Sequence, residues 1–177
     1  MGSIRDEIRQ TKPFDAGAEE AVVTLLGTAD RVRTTLSRVT EAHGITLQQY
    51  NVLRILRGAG PDGLPTLDIA ARMIEHSPGI TRLLDRLEAK GLVRRRRCPD
   101  DRRQVIGHAT DEARRLLANL DGPVADAGRS SLASLDASRT AELIRLLDQV
   151  RAATAPSPTT DSRQDPDQKK RTKETRT

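Results

Sequence analysis

Apolar residues recur at three- and four-residue steps along much of this chain, and that spacing predicts helices. The first covers residues 18–42, with Val22, Leu25, Leu26, Ala29, Val32, Leu36 and Val39 on one stripe and Gly44 beyond its end. Thr46 opens a second helix. Its Thr46-x-x-Gln49 spacing fits a reciprocal capping box, and Leu47, Tyr50, Leu53 and Leu56 line one face. Gly58, Gly60, Pro61 and Gly63 stop it. A third helix is expected over residues 66–74, apolar at Leu67, Ile69, Ala70 and Met73. The fourth runs over 77–90. Ser77 suits the N-cap and Pro78 the first helical position. Its inward stripe is Ile80, Leu83, Leu84 and Leu87, and Gly91 is a natural terminator.

The period then changes. Residues 92–98 read as a short, very basic strand, Pro99-Asp100-Asp101 as a turn, and 104–109 as a returning strand that completes a hairpin. Thr110 caps a fifth helix whose first turn holds Asp111 and Glu112, favourable against the helix dipole. Leu116, Leu117 and Leu120 follow, and Gly122-Pro123 is expected to kink or divide this helix. A last helix over 137–152 carries Leu143, Leu146, Leu147 and Val150. Two helices meeting at a short turn, with a hairpin after the second, make a winged helix-turn-helix: mainly α, with a small β-hairpin wing. Residues 1–17 read as a flexible N-terminus and 153–177 as a disordered tail, because the tail's apolar content is too low to offset ordering entropy.

Composition narrows the partners. The chain has 177 residues, 36% hydrophobic and 31% charged, enough for one domain with appendages. No apolar run approaches the roughly 18 residues that cross a membrane. The N-terminal MGSIRDEIRQ lacks a signal-peptide core, so a cytoplasmic location is expected. Between Arg72 and Arg103 lie ten basic and five acidic residues, a net +5 that equals the formal charge of the whole chain. A basic patch on an otherwise balanced protein points to a polyanion. Phe14 and Tyr50 are the only aromatics. That disfavours single strands, which bind by base stacking, and favours double-stranded DNA, gripped through its backbone and grooves.

Within that patch, Asp85-Arg86-Leu87-Glu88-Ala89-Lys90-Gly91-Leu92-Val93 followed by Asp101-Arg102-Arg103 resembles the MarR family of bacterial transcription regulators. The likeness covers residues 20–150. It implies a homodimer, with residues 18–45 and 111–152 forming a helical dimerisation layer and 46–110 the DNA-binding domain. It also implies that helix 77–90 lies in the major groove and that the turn 99–103 forms the wing, in the minor groove. Family members are often regulated by a small-molecule effector, or by oxidation, at the junction of the two layers. Pro65 stands where many relatives have a capping Thr or Ser, which moves the start of the third helix to Thr66. Ile74 takes a turn position where glycine is frequent, and Ala109 replaces a larger apolar residue.

On this reading Ser77, Pro78, Gly79, Thr81 and Arg82 sit at the groove-facing start of the recognition helix. Arg82 is suited to grip guanine through two hydrogen bonds, and Thr81 to touch a thymine methyl or a phosphate. Arg86, one turn on, is a phosphate contact or a partner of Asp85 or Asp101. Arg102 and Arg103 are suited to a narrow minor groove, with Asp101 structural, holding the turn and orienting an arginine. A solvated, charged face is the plain alternative for each. Arg94 to Arg97 alternate faces along a strand; one or two would touch phosphate and the rest keep the edge soluble. Cys98 reads as an ordinary cysteine at the wing base, although four neighbouring arginines would favour its thiolate.

No metal or other cofactor is implied, since His43, His76 and His108 lack ligand spacing. Nothing suggests an enzyme: there is no nucleophile–base pairing and no phosphate-binding glycine loop. The expected function is a sequence-specific, dimeric DNA-binding transcriptional regulator, a ligand-responsive repressor. The alternative is a winged-helix protein-interaction module that does not bind DNA.

Overall fold

A computed structural model describes residues 3–75, 79–99, 101 and 103–154. The chain divides into two compact units, residues 1–133 and 134–177. The first holds helices α1 (Ile4–Glu7), α2 (Gly17–Glu41), α3 (Leu47–Ala59), α4 (Thr66–Ala71), α5 (Ile80–Ala89) and α6 (Asp111–Ser131), with strands β1 (Leu64–Pro65), β2 (Val93–Arg97) and β3 (Val105–Ala109). In the second unit the described element is α7 (Ala137–Ala153).

The capping box on α3 forms as the Thr46/Gln49 spacing predicts. Thr46 Oγ1 accepts the Gln49 N–H at 3.2 Å, and Gln49 Oε1 accepts the Thr46 N–H at 3.0 Å. Once the helix is started, its three- and four-residue spacing turns Val52, Leu53 and Leu56 fully inward. They form one core with Ile69 of α4, with Leu83, Leu84 and Leu87 of α5, and with Leu117 and Leu120 of α6. Burying a leucine or valine stabilises the fold by about 1.5–3 kcal/mol each, so this shared stripe is what holds the helix-turn-helix together.

The sheet has three strands rather than the expected two, antiparallel throughout and ordered β1-β3-β2. Leu64 pairs with Gly107 and Pro65 with Ile106. Two residues inside a Gly/Pro-rich stretch read as loop, and Pro65 is tolerated because β1 is an edge strand. Gly107 lets β3 cross close over the core, since a Cβ there would stand 3.2 Å from Ile69 Cδ1. Ala109 pairs with Val93, and both are buried. The small residue therefore fits between the strands and α6.

Other boundaries also differ. α4 stops at Ala71, three residues early, and leaves Leu67 and Ile74 80% and 84% exposed while Met73 is buried. α5 begins at Ile80, with Gly79 rather than Ser77 as its N-cap residue. Ser77 and Pro78 lie outside the described residues, as do His76, Arg102 and the segment 155–177. α6 runs unbroken through Pro123. A proline removes one backbone hydrogen bond, but continuing the helix keeps Leu116, Leu117, Leu120 and Val124 on the core side. The short α1 was not anticipated from the pattern. It is capped by Ser3 and tied to α2 by Arg5–Glu20 and Arg31–Glu7 ion pairs.

Candidate nucleic-acid interface

Helix α5 is the centre of the site. Its apolar stripe fixes its rotation: with Leu83, Leu84 and Leu87 buried, Thr81, Arg82, Asp85 and Arg86 are left on the outer face. Arg82 and Arg86 are one turn apart and so project side by side. No ion pair among the described residues involves either of them. At the helix start the first N–H groups have no intrahelical acceptor. Gly79 brings no side chain to cap them, and N–H groups at a helix start are donors that suit a phosphate.

Three contacts hold α5 and its approach in place. Glu75, in the turn before it, accepts from Arg33 Nε of α2 at 3.0 Å and from Gln48 Nε2 of α3 at 3.2 Å. At the other end, Lys90 Nζ donates to the Gly44 carbonyl at 2.5 Å. The turn that leads into α5 and the far end of α5 are thereby tied to α2, α3 and the corner between them.

The hairpin is fastened to α5 by Arg95. Its Nη2 lies 2.6 Å from Asp85 Oδ1 and 2.6 Å from Glu88 Oε2, its Nε donates to Glu88 Oε2 at 2.8 Å, and its backbone N–H donates to Glu88 Oε1 at 3.0 Å. The Arg95 side chain, followed by its backbone N–H, holds the Glu88 carboxyl below its usual range. A pairing of Asp85 with Arg86 is one of the alternatives the sequence leaves open for Arg86. The observed partner is Arg95, because β2 crosses the outer end of α5 and brings a strand residue over two helix acids. Strand alternation shows that some arginine of this run must turn inward, but not which one.

At the wing, Asp101 Oδ1 accepts the Arg103 backbone N–H at 3.0 Å and Oδ2 accepts from Gln104 Nε2 at 3.1 Å. The Gln104 N–H reaches the Asp101 carbonyl at 2.9 Å, and the Cys98 N–H reaches the Gln104 carbonyl at 3.0 Å. Asp101 thus closes the turn through a backbone amide and a glutamine. Among the described residues it does so without an arginine side chain. Arg103 is exposed next to it. The acid that sits in a basic turn is used up by these bonds, so it does not present a bare charge.

The described residues contain no cluster of three His, Cys, Asp or Glu side chains that would hold a metal. No described helix is long and apolar enough to cross a membrane.

A helix-turn-helix whose second helix exposes a basic face, followed by a braced hairpin, defines a winged helix-turn-helix protein. The sequence profile of the MarR family matches residues 45–105, from the start of α3 to the wing. A MarR transcription factor from Planctomyces limnophilus is 40% identical over 77% of this chain and 99% of that one, with a TM-score of 0.61. Sco3205, a MarR family transcriptional regulator from Streptomyces coelicolor whose structure is known in complex with DNA, is 26% identical. That match covers 84% of this chain and 95% of Sco3205, with a TM-score of 0.70. The HTH-type transcriptional regulator TtmR of Methylorubrum extorquens is 42% identical over 79 residues, 45% of this chain; the matched stretch spans only 40% of TtmR's length. The chain belongs to the MarR family of transcription regulators. It is a member of a regulator family, not of an enzyme family.

Proposed function

We propose that this protein is a sequence-specific regulator that binds double-stranded DNA as a homodimer. The observation that carries the reading is the outer face of α5, where Thr81, Arg82 and Arg86 stand exposed on a helix whose other side is locked into the core. An arginine so placed suits a guanine edge, and its neighbours suit phosphate. Arg103, on the turn that Asp101 braces, is suited to the minor groove, with Arg102 as the second candidate there. Sco3205, the relative described above in complex with DNA, supports the same use of the fold here.

The dimer has its own support. Val22 and Leu26 of α2 are 56% and 65% exposed, and α7 buries no residue within its own chain while leaving Ile144, Leu146 and Val150 open. Apolar surface of this kind on two long helices suits a second copy. Two recognition helices related by a two-fold axis would then sit about one DNA turn apart on a pseudo-palindrome. A dimer clamped across a promoter acts most simply as a repressor, and a small-molecule effector that shifts the spacing of the two helices would release it.

The test is selection of bound fragments from genomic DNA, repeated across salt concentrations. Enrichment of a palindromic site supports the proposal. Absence of enrichment at every salt concentration overturns it in favour of a protein-interaction module.

A further inference from the structure

The sheet face turned away from α5 carries charge beyond the α5 and wing-tip residues on which the proposed DNA contact rests. Side chains alternate along a strand, so while Arg95 reaches Asp85 and Glu88, Arg94 and Arg96 point the other way. There they line a pocket of about 270 Å³ with Pro61, His108, Asp111 and Arg114. The site draws on four elements: the 3-10 turn Gly60–Asp62, β2, β3 and the first turn of α6. Register places Arg94 directly across from His108, so the two rise on the same side of the sheet.

The donors here are already sorted. His108 Nδ1 lies 3.1 Å from the Pro61 carbonyl oxygen. A carbonyl can only accept, so Nδ1 carries the hydrogen and Nε2 presents its lone pair, as an acceptor, to a ligand. Asp111 is the one acid in the lining, and it is engaged by Arg114 Nη1 at 2.6 Å. Arg94 and Arg96 take part in no ion pair among the described residues. Charge on an edge strand would by itself discourage sheet pairing. That role does not call for a histidine and a third arginine, from other elements, around the same hollow.

We infer that this pocket binds a small organic phosphate, at a site separate from the DNA-facing surface. A phosphate monoester is a dianion with three terminal oxygens, which matches two free guanidinium forks, while a hydroxyl of its organic body can donate to His108 Nε2. A carboxylate supplies one charge and two oxygens and would leave one fork unanswered. The volume is several times the roughly 30 Å³ share of a water molecule, leaving room for an organic body against Pro61 and Ala109. Because the pocket lies where the hairpin meets α6, an occupant fastens the base of the wing to that helix. The inference does not depend on DNA binding.

Backbone amide spectra of the full chain, titrated with inorganic phosphate and with glucose 6-phosphate at constant ionic strength, test it. The expected result is saturable shifts confined to the amides of Arg94, Arg96, His108 and the start of α6, with glucose 6-phosphate binding at least as tightly as phosphate. Each arginine removed should weaken binding about tenfold, so Arg94→Gln with Arg96→Gln should cost about a hundredfold, whereas Arg82→Ala should leave it unchanged. If the double variant is unfolded, Arg114→Gln alone carries the comparison. Shifts that fail to saturate, saturation that survives the substitutions, or displacement of the phosphate by duplex DNA would each overturn the inference.

Discussion

Gly63 offers a stringent check on how the wing is mounted. Its φ of +68° lies in the left-handed region, and a Cβ there would stand 2.4 Å from the Gly107 carbonyl oxygen and 2.6 Å from His108 Nδ1. The histidine ring can swing aside; the β3 backbone cannot. Gly63→Ala therefore incurs about 1–2 kcal/mol for the left-handed conformation. Loss of the short β1–β3 pairing adds roughly 1 kcal/mol per backbone hydrogen bond. The stiffer unfolded chain returns about 0.4–1 kcal/mol. The net is about 2–3 kcal/mol of destabilisation, read as a lower midpoint in urea unfolding followed by circular dichroism. Gly58 is the internal control. It lies within α3 with nothing inside 4 Å of a Cβ, so Gly58→Ala should stabilise by about 0.5–1 kcal/mol. Equal effects of the same sign, or a change below about 0.5 kcal/mol for Gly63→Ala, would refute this account of the wing base.

Arg95→Ala removes the tie between wing and recognition helix, not a phosphate contact. It should lower the melting temperature and weaken duplex binding while leaving the salt dependence unchanged; a slope reduced by about one unit would instead make Arg95 a DNA contact. Arg103→Ala should weaken duplex binding with no change in melting temperature or dimerisation, and unchanged affinity would remove the wing from the interface. Arg57 and Asp121 join α3 to α6 through paired contacts of 2.8 and 3.0 Å, and the hydrogen bond from Arg57 holds the Asp121 carboxyl below its ordinary value. A lowered folded-state pKa stabilises above the unfolded value, near 3.9, and that contribution disappears as pH falls through the folded value. The stability gap between the native chain and Asp121→Asn should therefore shrink below about pH 4; a gap independent of pH would contradict the assignment.

The parts of this fold legible in the sequence are those with a long, repeated signal. The stripe Leu83, Leu84, Leu87 sets the rotation of α5, and with it the outward position of Thr81, Arg82 and Arg86. Short or tertiary features were not legible. β1 is two residues in a Gly/Pro-rich stretch, and only its pairing with β3 makes it a strand. Pro123 reads as a helix break, yet the packing of residues on either side carries α6 across it. The Arg95 clamp joins residues seven and ten apart in sequence that only the crossing of β2 over α5 brings together. The Arg94–Arg96 pocket needed Pro61, which lies far from the wing in sequence, and Arg114 of α6, and neither carries a local sign of a shared site.

The central claim is that the outer face of α5 reads DNA sequence. Affinity of the full chain for its selected duplex, measured against salt for the native protein and Arg82→Ala, tests it most directly. The account predicts a steep linear fall of log affinity with log salt. It also predicts that Arg82→Ala costs about 1–3 kcal/mol, concentrated at one base pair. Affinity that ignores salt, and is equal for the selected and a scrambled duplex in both proteins, would contradict it.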